Sequence, residues 1–224
     1  MSRGRVPENQ EMRVVSLNIG RPQIVMCGGQ QYSTAINRRP VDGPLEATPL
    51  GFVGDRVSNE KVHGGPDKAV CCYPHEHYAH WSPILGRELE VPSFGENLTT
   101  QGMLESDVCI GDVFRVGGAE MQVSQPRLPC SKLAGKLAEQ RIIKWILENQ
   151  FSGFYFRVLK PGAVQAGDPV ERISHPHPDL SIARLVQLKS QPAPDPGLCG
   201  RLAALSDLSE SWREHFRQPD RRPA

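Results

Sequence analysis

The sequence predicts a mainly β protein with helices, in which a β-barrel formed by residues 1–174 precedes a short helical C-terminal extension formed by residues 175–224. Three observations support this prediction. The 224 residues include 21 Gly and 20 Pro, a turn-rich composition that disfavours long helical bundles. Short β-prone segments bounded by turn residues recur up to Ile173, as in proteins built from many short strands. From His175–Pro178 onward no strand pattern remains, which places the boundary near residue 174.

The first half of the chain is predicted to contain several strands and one helix. Met12–Asn18 is a short β-prone segment, and Gln23–Pro44 is interrupted by Gly and Pro, so it indicates strand, loop and strand. Lys68–Tyr73 is a compact apolar segment that predicts another strand. Pro74 suits the first turn of a helix, which we expect over His75–Leu85 because a glycine follows it.

The second half is predicted to alternate strands with one amphipathic helix. Asp112–Val116 and Ala119–Ser124 flank a Gly-Gly pair, which is typical of a tight hairpin. Apolar residues recur near helical spacing over Ser131–Asn149, so we expect a single helix there. Gly153–Leu159 and Val170–Ile173 are predicted to be returning strands.

The C-terminal extension is predicted to form three short helices, over Leu180–Leu188, Leu198–Leu205 and Leu208–Phe216. Helices of this length are marginal on their own. We therefore expect their apolar faces to pack either on the barrel or against a second copy of the chain, as in a homodimer.

The charge balance disfavours two classes of partner. Lys and Arg total 26 and Asp and Glu total 25, a net charge of +1, so no global field attracts nucleic acid or an anionic membrane. No apolar segment reaches the length of a membrane span, and the polar start lacks a signal-peptide core. We therefore expect a cytoplasmic protein.

The basic stretch 120–160 could face an anionic small ligand or simply form a solvated helix face.

The segment Gln125–Lys132 is the strongest candidate for chemistry. Cys130 lies where strand is predicted to give way to helix, between the cations Arg127 and Lys132. Such surroundings favour a thiolate, which attacks electrophiles or binds a soft metal. A buried structural thiol is the alternative interpretation. We assign that structural role to the other cysteines, which are Cys27, Cys71, Cys72, Cys109 and Cys199.

Three further patterns are individually weak. His63–Lys68 is a glycine turn whose backbone N–H groups could hold a phosphate, although such turns also occur for backbone reasons. Phe94–Leu98 offers a carboxylate and an amide, or simply a β-turn. Cys71–His80 contains two Cys and three His, but the spacing lacks the second ligand pair of a closed zinc site.

Considered together, four segments resemble the MOSC-domain family, and their order and spacing resemble its YiiM-like subgroup. The segments are Lys61–Val70, Phe94–Leu98, Ile110–Asp112 and Ser124–Cys130. The resemblance covers roughly residues 12–173 and implies a MOSC-type β-barrel, followed by that subgroup's three-helix extension.

The resemblance also implies an activity and a set of site residues. The resemblance implies an oxidoreductase that uses a molybdenum cofactor, a Mo-pterin. Its implied reaction is the reduction of N-hydroxylated compounds to amines, with hydroxylaminopurine-type base analogues among the substrates. Cys130 takes the position of the catalytic molybdenum ligand. The implied cofactor-binding residues are His63, Gly64, Gly65, Lys68, Asn97, Arg127 and Arg157. The sequence departs from the family pattern in Arg56–Glu60 and Gln140–Gly153. These departures affect what the resemblance implies about the rim of the cofactor site and about substrate preference, but not about the barrel.

Two other functions remain open from the residues. The first is a sulfur carrier that holds a persulfide on Cys130, and the second is a non-catalytic pterin-binding barrel. For the reductase, electrons must come from a separate donor protein, because the sequence has neither an iron–sulfur cysteine cluster nor a dinucleotide fingerprint.

Overall fold

The computed structural model describes residues 11–27, 30–191 and 194–217. The strands are β1 (Arg13–Ile19), β2 (Gln23–Cys27), β3 (Gln30–Thr34), β4 (Arg39–Pro40), β5 (Leu45–Thr48), β6 (Gly51–Phe52), β7 (Val70–Pro74), β8 (Leu98–Gln101), β9 (Val113–Val116), β10 (Ala119–Pro126), β11 (Phe154–Lys160), β12 (Gly162–Val164) and β13 (Val170–Ser174). The helices are α1 (Glu60–His63), α2 (Glu76–Ile84), α3 (Ser131–Leu137), α4 (Ile142–Asn149), α5 (Ile182–Ser190), α6 (Pro196–Ala204) and α7 (Glu210–Arg217). A 3-10 turn covers Pro66–Lys68.

The main element is an eight-stranded mixed sheet with the order β13-β9-β10-β11-β7-β8-β1-β4. Its neighbours are antiparallel except β7 and β8, which are parallel. Smaller sheets have the orders β12-β5-β6 and β2-β3. The predicted hairpin is present as β9 and β10, which pair Val116 with Ala119 across the Gly-Gly turn.

The expectation of a closed barrel is wrong for the described residues, since the sheet remains open with β13 and β4 at its edges. The chain does bring β1 near β13, where Val14 N donates to Asp168 O at 2.9 Å and Val170 N donates to Met12 O at 2.8 Å. Their contact is an isolated bridge between Arg13 and Pro169. Because proline has no backbone N–H to donate, it limits extension of this pairing into a full strand ladder.

The predicted single helix over Ser131–Asn149 is two helices, α3 and α4. Ala138 ends α3 in the left-handed conformation at φ 54°. The apolar spacing explains the break, because Leu133 and Leu137 lie four residues apart but the next buried position, Ile142, follows only after five. A straight helix would rotate that side chain away from the apolar face.

Two apolar clusters organise the core. The first joins sheet residues such as Phe114 and Met121 to residues of the tail helices, including Leu185 and Trp212. The second packs α2, α3 and α4 together and contains Tyr73, Trp81, Phe94, Leu133 and Ile146. The second cluster therefore anchors the helix that begins directly after Cys130. Within the described residues, no helix combines the length and apolar character needed to cross a membrane.

Candidate functional site

A cavity of about 220 Å³ lies where the loop from β10 to α3 meets the turn after α1 and the loop before β8. Seven of the eight residues predicted for the site line it. They are His63, Gly64, Gly65, Lys68, Asn97, Arg127 and Cys130. The structure thus brings together segments that are up to 67 positions apart in the chain, as the His63 to Cys130 separation shows.

Cys130 is the residue that precedes α3. Its carbonyl oxygen accepts a hydrogen bond from Leu133 N at 2.9 Å, whereas its side chain makes no capping hydrogen bond. The preceding loop is fixed where Arg127 N donates to Gly153 O at 3.0 Å. Because the backbone rather than the thiol supports the turn, the half-buried thiol is available at the cavity wall.

Arg127 supplies a buried cation in the same wall. Its side chain is 6% exposed, and Nη2 donates to Phe94 O at 2.7 Å. Nη1 is buried and has no hydrogen-bond partner among the described residues. A buried donor without an acceptor is costly, about 1–3 kcal/mol and more for a charged group. The arrangement therefore favours an acceptor or anion bound in the cavity.

A hydrogen-bond network in the cavity wall centres on Asp55, which the sequence did not single out. Arg38 donates from Nε to Oδ1 at 3.1 Å and from Nη2 to Oδ2 at 2.8 Å. Nη1 of Arg38 also donates to Gly95 O at 2.6 Å. The bidentate pair joins the segment before β4 to the loop between β6 and α1, and the bond to Gly95 O adds the loop before β8. Arg38 and Asp55 each lie in a loop whose sequence resembles an ordinary turn, so sequence alone gave no signal for either.

Asn97 holds the cavity wall in place. Its Nδ2 donates to Asp55 Oδ2 at 2.9 Å and to Asn18 O at 3.2 Å, while its Oδ1 accepts from Cys71 N at 3.1 Å. Both amide hydrogens are therefore engaged by the protein. Asn97 acts as a positioning residue, and only its oxygen retains capacity for a ligand.

The glycine turn near His63 shapes the opposite wall. Gly65 adopts φ 92°, and a Cβ there would meet open space, whereas a Cβ at Gly64 would lie 2.8 Å from Glu60 O. Burial, followed by the charges of Lys132 and Lys68, lowers the pKa of His63 below its usual 6.5. Burial also lowers the pKa of Lys68. The imidazole of His63 is therefore neutral near pH 7 and can accept a proton.

The cavity carries an excess of positive charge. The cationic residues of its lining are Arg38, Arg56, Lys68, Arg127 and Lys132, and the acidic residues are Asp55 and Glu60. Nζ of Lys132 donates to Ser33 O at 2.8 Å and to Ser58 Oγ at 3.0 Å, which fixes this cation in the cavity lining. Such a lining favours an anionic ligand. Part of the divergent Arg56–Glu60 segment therefore lies at this site.

Arg157 does not lie in the cavity lining, unlike the other predicted residues. Its Nε pairs with Asp67 Oδ1 at 2.5 Å, and its Nη1 donates to Gln122 Oε1 and to Asp207 O, both at 2.9 Å. The guanidinium therefore joins β11 to the 3-10 turn and to the loop before α7. The geometry supports a structural role for Arg157.

Besides Arg38 and Asp55, two further cavity residues were not singled out from the sequence. Cys71 was assigned to the core and is indeed only 4% exposed, yet it also lines the cavity, as does Tyr155. Burial raises the pKa of both side chains, and the charge of Cys71 contributes to the shift at Tyr155. Both groups are therefore protonated at neutral pH. The strand alternation of β11 could have placed Tyr155 on the face opposite Phe154 and Phe156.

Comparisons with known proteins show the family to which the chain belongs. The MOSC-domain family model matches residues 59–171. The protein named YiiM from Escherichia coli (strain K12) is 40% identical over 182 residues, which cover 80% of this chain and 81% of that protein. A protein named Reductase from Gibberella moniliformis is 34% identical over 173 residues, which cover 75% of this chain and 30% of that protein. The crystal structure of YiiM from Geobacillus stearothermophilus superposes with a TM-score of 0.80 at 36% sequence identity. The superposition covers 94% of this chain and 100% of that chain.

The family-model match and the similarity of the open mixed sheet to the fold of YiiM show that the chain belongs to the MOSC-domain family. The relatives place it in the YiiM-like subgroup.

Proposed function

We propose that this protein is a molybdenum-cofactor-dependent reductase that converts N-hydroxylated compounds, including hydroxylaminopurine-type base analogues, to amines. One observation carries the proposal: the Cys130 thiol and the buried, incompletely bonded guanidinium of Arg127 share the wall of one cation-rich cavity. Membership of the MOSC-domain family and the similarity to a protein named Reductase support it.

The residues present fit a pterin cofactor that carries a phosphate and a soft metal. The Cys130 thiolate would be the protein ligand to molybdenum, since soft metals prefer sulfur. Nη1 of Arg127, the Lys68 ammonium and the backbone N–H of Gly65 would hold anionic oxygens. Asn97 would fix the wall that faces these groups.

The overall reaction consumes two electrons and two protons, so that R–NHOH gives R–NH₂ and water. The cofactor, when bound, supplies the electron-transfer chemistry. The chain's own groups bind and orient the substrate, and the neutral His63 in the cavity lining can hold and release a proton. A separate donor protein would supply the electrons.

The test uses full-length protein expressed in a host that makes the cofactor, with an N-hydroxylated purine as substrate and an artificial electron donor. Cys130→Ser should abolish reduction while the circular dichroism spectrum is unchanged. Cys199→Ala is the matched control, because Cys199 is a buried thiol in α6 outside the cavity, and it should retain activity. Full activity in folded Cys130→Ser would refute the proposal.

The same preparation distinguishes the two alternatives. A sulfur carrier would contain cyanolysable sulfur on Cys130 and no metal. A non-catalytic pterin-binding protein would retain pterin after the Cys130→Ser change and would reduce no substrate in either form.

A further inference from the structure

A group of metal-ligating side chains lies outside the cavity, where the turn before β9 meets the segment after β13. Sγ of Cys109, a carboxylate oxygen of Asp112 and a ring nitrogen of His175 all lie within 4.8 Å of one another. Zinc bonds to such ligands are about 2.0–2.3 Å long, so one ion can bridge atoms at these separations after small side-chain rotations. We propose that Cys109, Asp112 and His175 bind a zinc ion.

Asp112 already directs one oxygen at the imidazole. Oδ1 lies 2.7 Å from Nδ1 of His175, whereas Oδ2 accepts from the backbone N of Cys109 at 3.0 Å. The carboxylate is therefore oriented by the turn itself. Zinc would replace the hydrogen bond between Oδ1 and Nδ1, and the two atoms would move apart to act as separate ligands.

The remaining coordination positions are also accessible. Pro178 O lies 3.7 Å from Cys109 Sγ, within reach of a fourth ligand position. The His175 side chain is 36% exposed, while that of Asp112 is fully buried. An ion can thus enter from solvent at His175 and reach a carboxylate inside the protein.

The donor set selects the kind of metal. A thiolate, an imidazole and one carboxylate oxygen suit zinc, whereas calcium and magnesium require mainly oxygen ligands. The Arg172 guanidinium opposes a cation, since its Nε lies 3.4 Å from Asp112 Oδ2. Binding therefore requires the Cys109 thiolate, and the thiol proton is released to solvent when zinc binds.

The position of this group indicates what the metal would do. Cys109 and Asp112 lie in a turn that is held to the tail where Ile110 N donates to Leu180 O at 3.0 Å. His175 begins the linker that follows β13. Zinc would therefore fasten the tail linker to the edge of the sheet, at a site separate from the proposed cofactor cavity.

The experiment uses the full-length protein, equilibrium dialysis against zinc chloride and elemental analysis of the retained metal. The ligand variants are Cys109→Ser and His175→Ala. The matched controls are Cys199→Ser, which changes another buried thiol, and His177→Ala, which changes a histidine in the same linker that pairs with Asp207 instead. Cobalt chloride provides a spectroscopic readout, because thiolate coordination to Co²⁺ produces a charge-transfer absorption.

We expect one zinc per chain in the unaltered protein and in both controls, and binding at least about tenfold weaker in each ligand variant. The cobalt charge-transfer band should be absent from Cys109→Ser. Thermal unfolding checks that each variant folds. Because His175 is partly exposed, His175→Ala is expected to fold, and it tests zinc binding if Cys109→Ser fails to fold. Failure of the folded protein to bind zinc, or equal binding by the ligand variants, would overturn the proposal. Molybdenum content is measured on the same samples, so the outcome is independent of the proposed reductase function.

Discussion

Arg127 has an uncommon environment for a guanidinium. It is buried, one nitrogen donates to Phe94 O, and another has no partner among the described residues. A buried charge without a close counterion lowers stability. The protein tolerates this loss of stability at a cavity wall, because residues at ligand-binding sites are commonly less stable than they would be if they served the fold alone.

The first prediction is that Arg127→Met leaves the thermal midpoint of the cofactor-free protein unchanged or raises it, because an apolar side chain of similar length removes an incompletely paired charge. The same change should lower the amount of molybdenum and pterin that the protein retains. Differential scanning calorimetry and elemental analysis measure the two effects. A large fall in the midpoint without loss of cofactor would instead show that Arg127 is purely structural.

Lys136 provides a prediction about pH. Its Nζ donates to Ile36 O at 3.1 Å and to Pro92 O at 2.6 Å, and burial lowers its pKa from 10.5 to about 8. Between these two values the unfolded chain binds a proton that the folded chain has released, so this group increases the free energy of unfolding as pH rises. The contribution is lost as pH falls through 8.

Lys136→Met should therefore remove a rise in the free energy of unfolding between about pH 8 and pH 10.5 that the unaltered protein shows. Urea unfolding at a series of pH values provides the measurement. Lys144→Met is the control, because the Lys144 side chain is 74% exposed, and it should keep the original slope. Identical slopes in all three proteins would contradict the assignment to Lys136.

At the scale of elements, the Arg38–Asp55 pair joins loops around the cavity. The two side chains are only 10% and 8% exposed, and Asp55 also accepts from Gly20 N at 2.7 Å. We expect Arg38→Ala to lower the free energy of unfolding by about 3–5 kcal/mol, because it leaves a buried carboxylate without its partner.

The control for that change is Arg201→Ala, which breaks a pair with Asp179 whose side chains are 46% and 42% exposed. An exposed pair contributes about 0–1 kcal/mol. Urea denaturation of both variants gives the comparison. Equal losses would mean that the Arg38–Asp55 pair is not stabilising the cavity loops as described.

Local sequence patterns predicted several elements correctly, but they failed where contacts between distant residues determine the structure. The apolar segment at Lys68–Tyr73 and the Gly-Gly hairpin contain their own signals, and both regions are strands in the structure. The division of Ser131–Asn149 depends on which side chains the second apolar cluster can bury. Arg157 was assigned by resemblance to the site, but its placement follows from Asp67 and Asp207, partners that no local pattern identifies.

For the cavity, the sequence predicted residues with distinctive chemistry and missed those that support them. Cys130 was a candidate because a thiol beside two cations at the predicted start of a helix favours the thiolate, whereas the glycine turn gained weight only from its combination with the other segments. Arg38 and Asp55 become significant only once folding places Asp55 between Arg38 and Asn97 in the cavity wall. The expectation of a closed barrel was wrong because β1 and β13 meet only at the isolated bridge between Arg13 and Pro169, and hydrophobic periodicity does not predict how far two distant strands pair.

At the scale of the whole molecule, the tail helices share one apolar cluster with the sheet. Leu202, Leu208, Trp212 and Phe216 belong to the cluster that contains Phe114. The packing is within one chain, so it supports the expectation that the tail covers the sheet. A homodimer and the division of the chain at residue 174 remain predictions.

Truncation after Ser174 should expose this apolar surface, lower solubility or raise the apparent mass, and lower the thermal midpoint. Light scattering and thermal unfolding of residues 1–174 beside the full chain provide the measurements. An unchanged midpoint, mass and solubility would show that the tail does not stabilise the sheet. Retained molybdenum in the truncated protein would further show that the cavity forms without the tail.

The central claim is that Cys130 holds a molybdenum cofactor in the cavity, and the most direct test is the metal and pterin content of the purified protein. Protein from a cofactor-producing host should contain about one molybdenum and one pterin per chain, as expected for one soft-metal site. The folded Cys130→Ser variant should lose most of the molybdenum, whereas Cys199→Ala should keep it. Protein that contains neither molybdenum nor pterin, or a Cys130→Ser variant that retains molybdenum fully, would contradict the account.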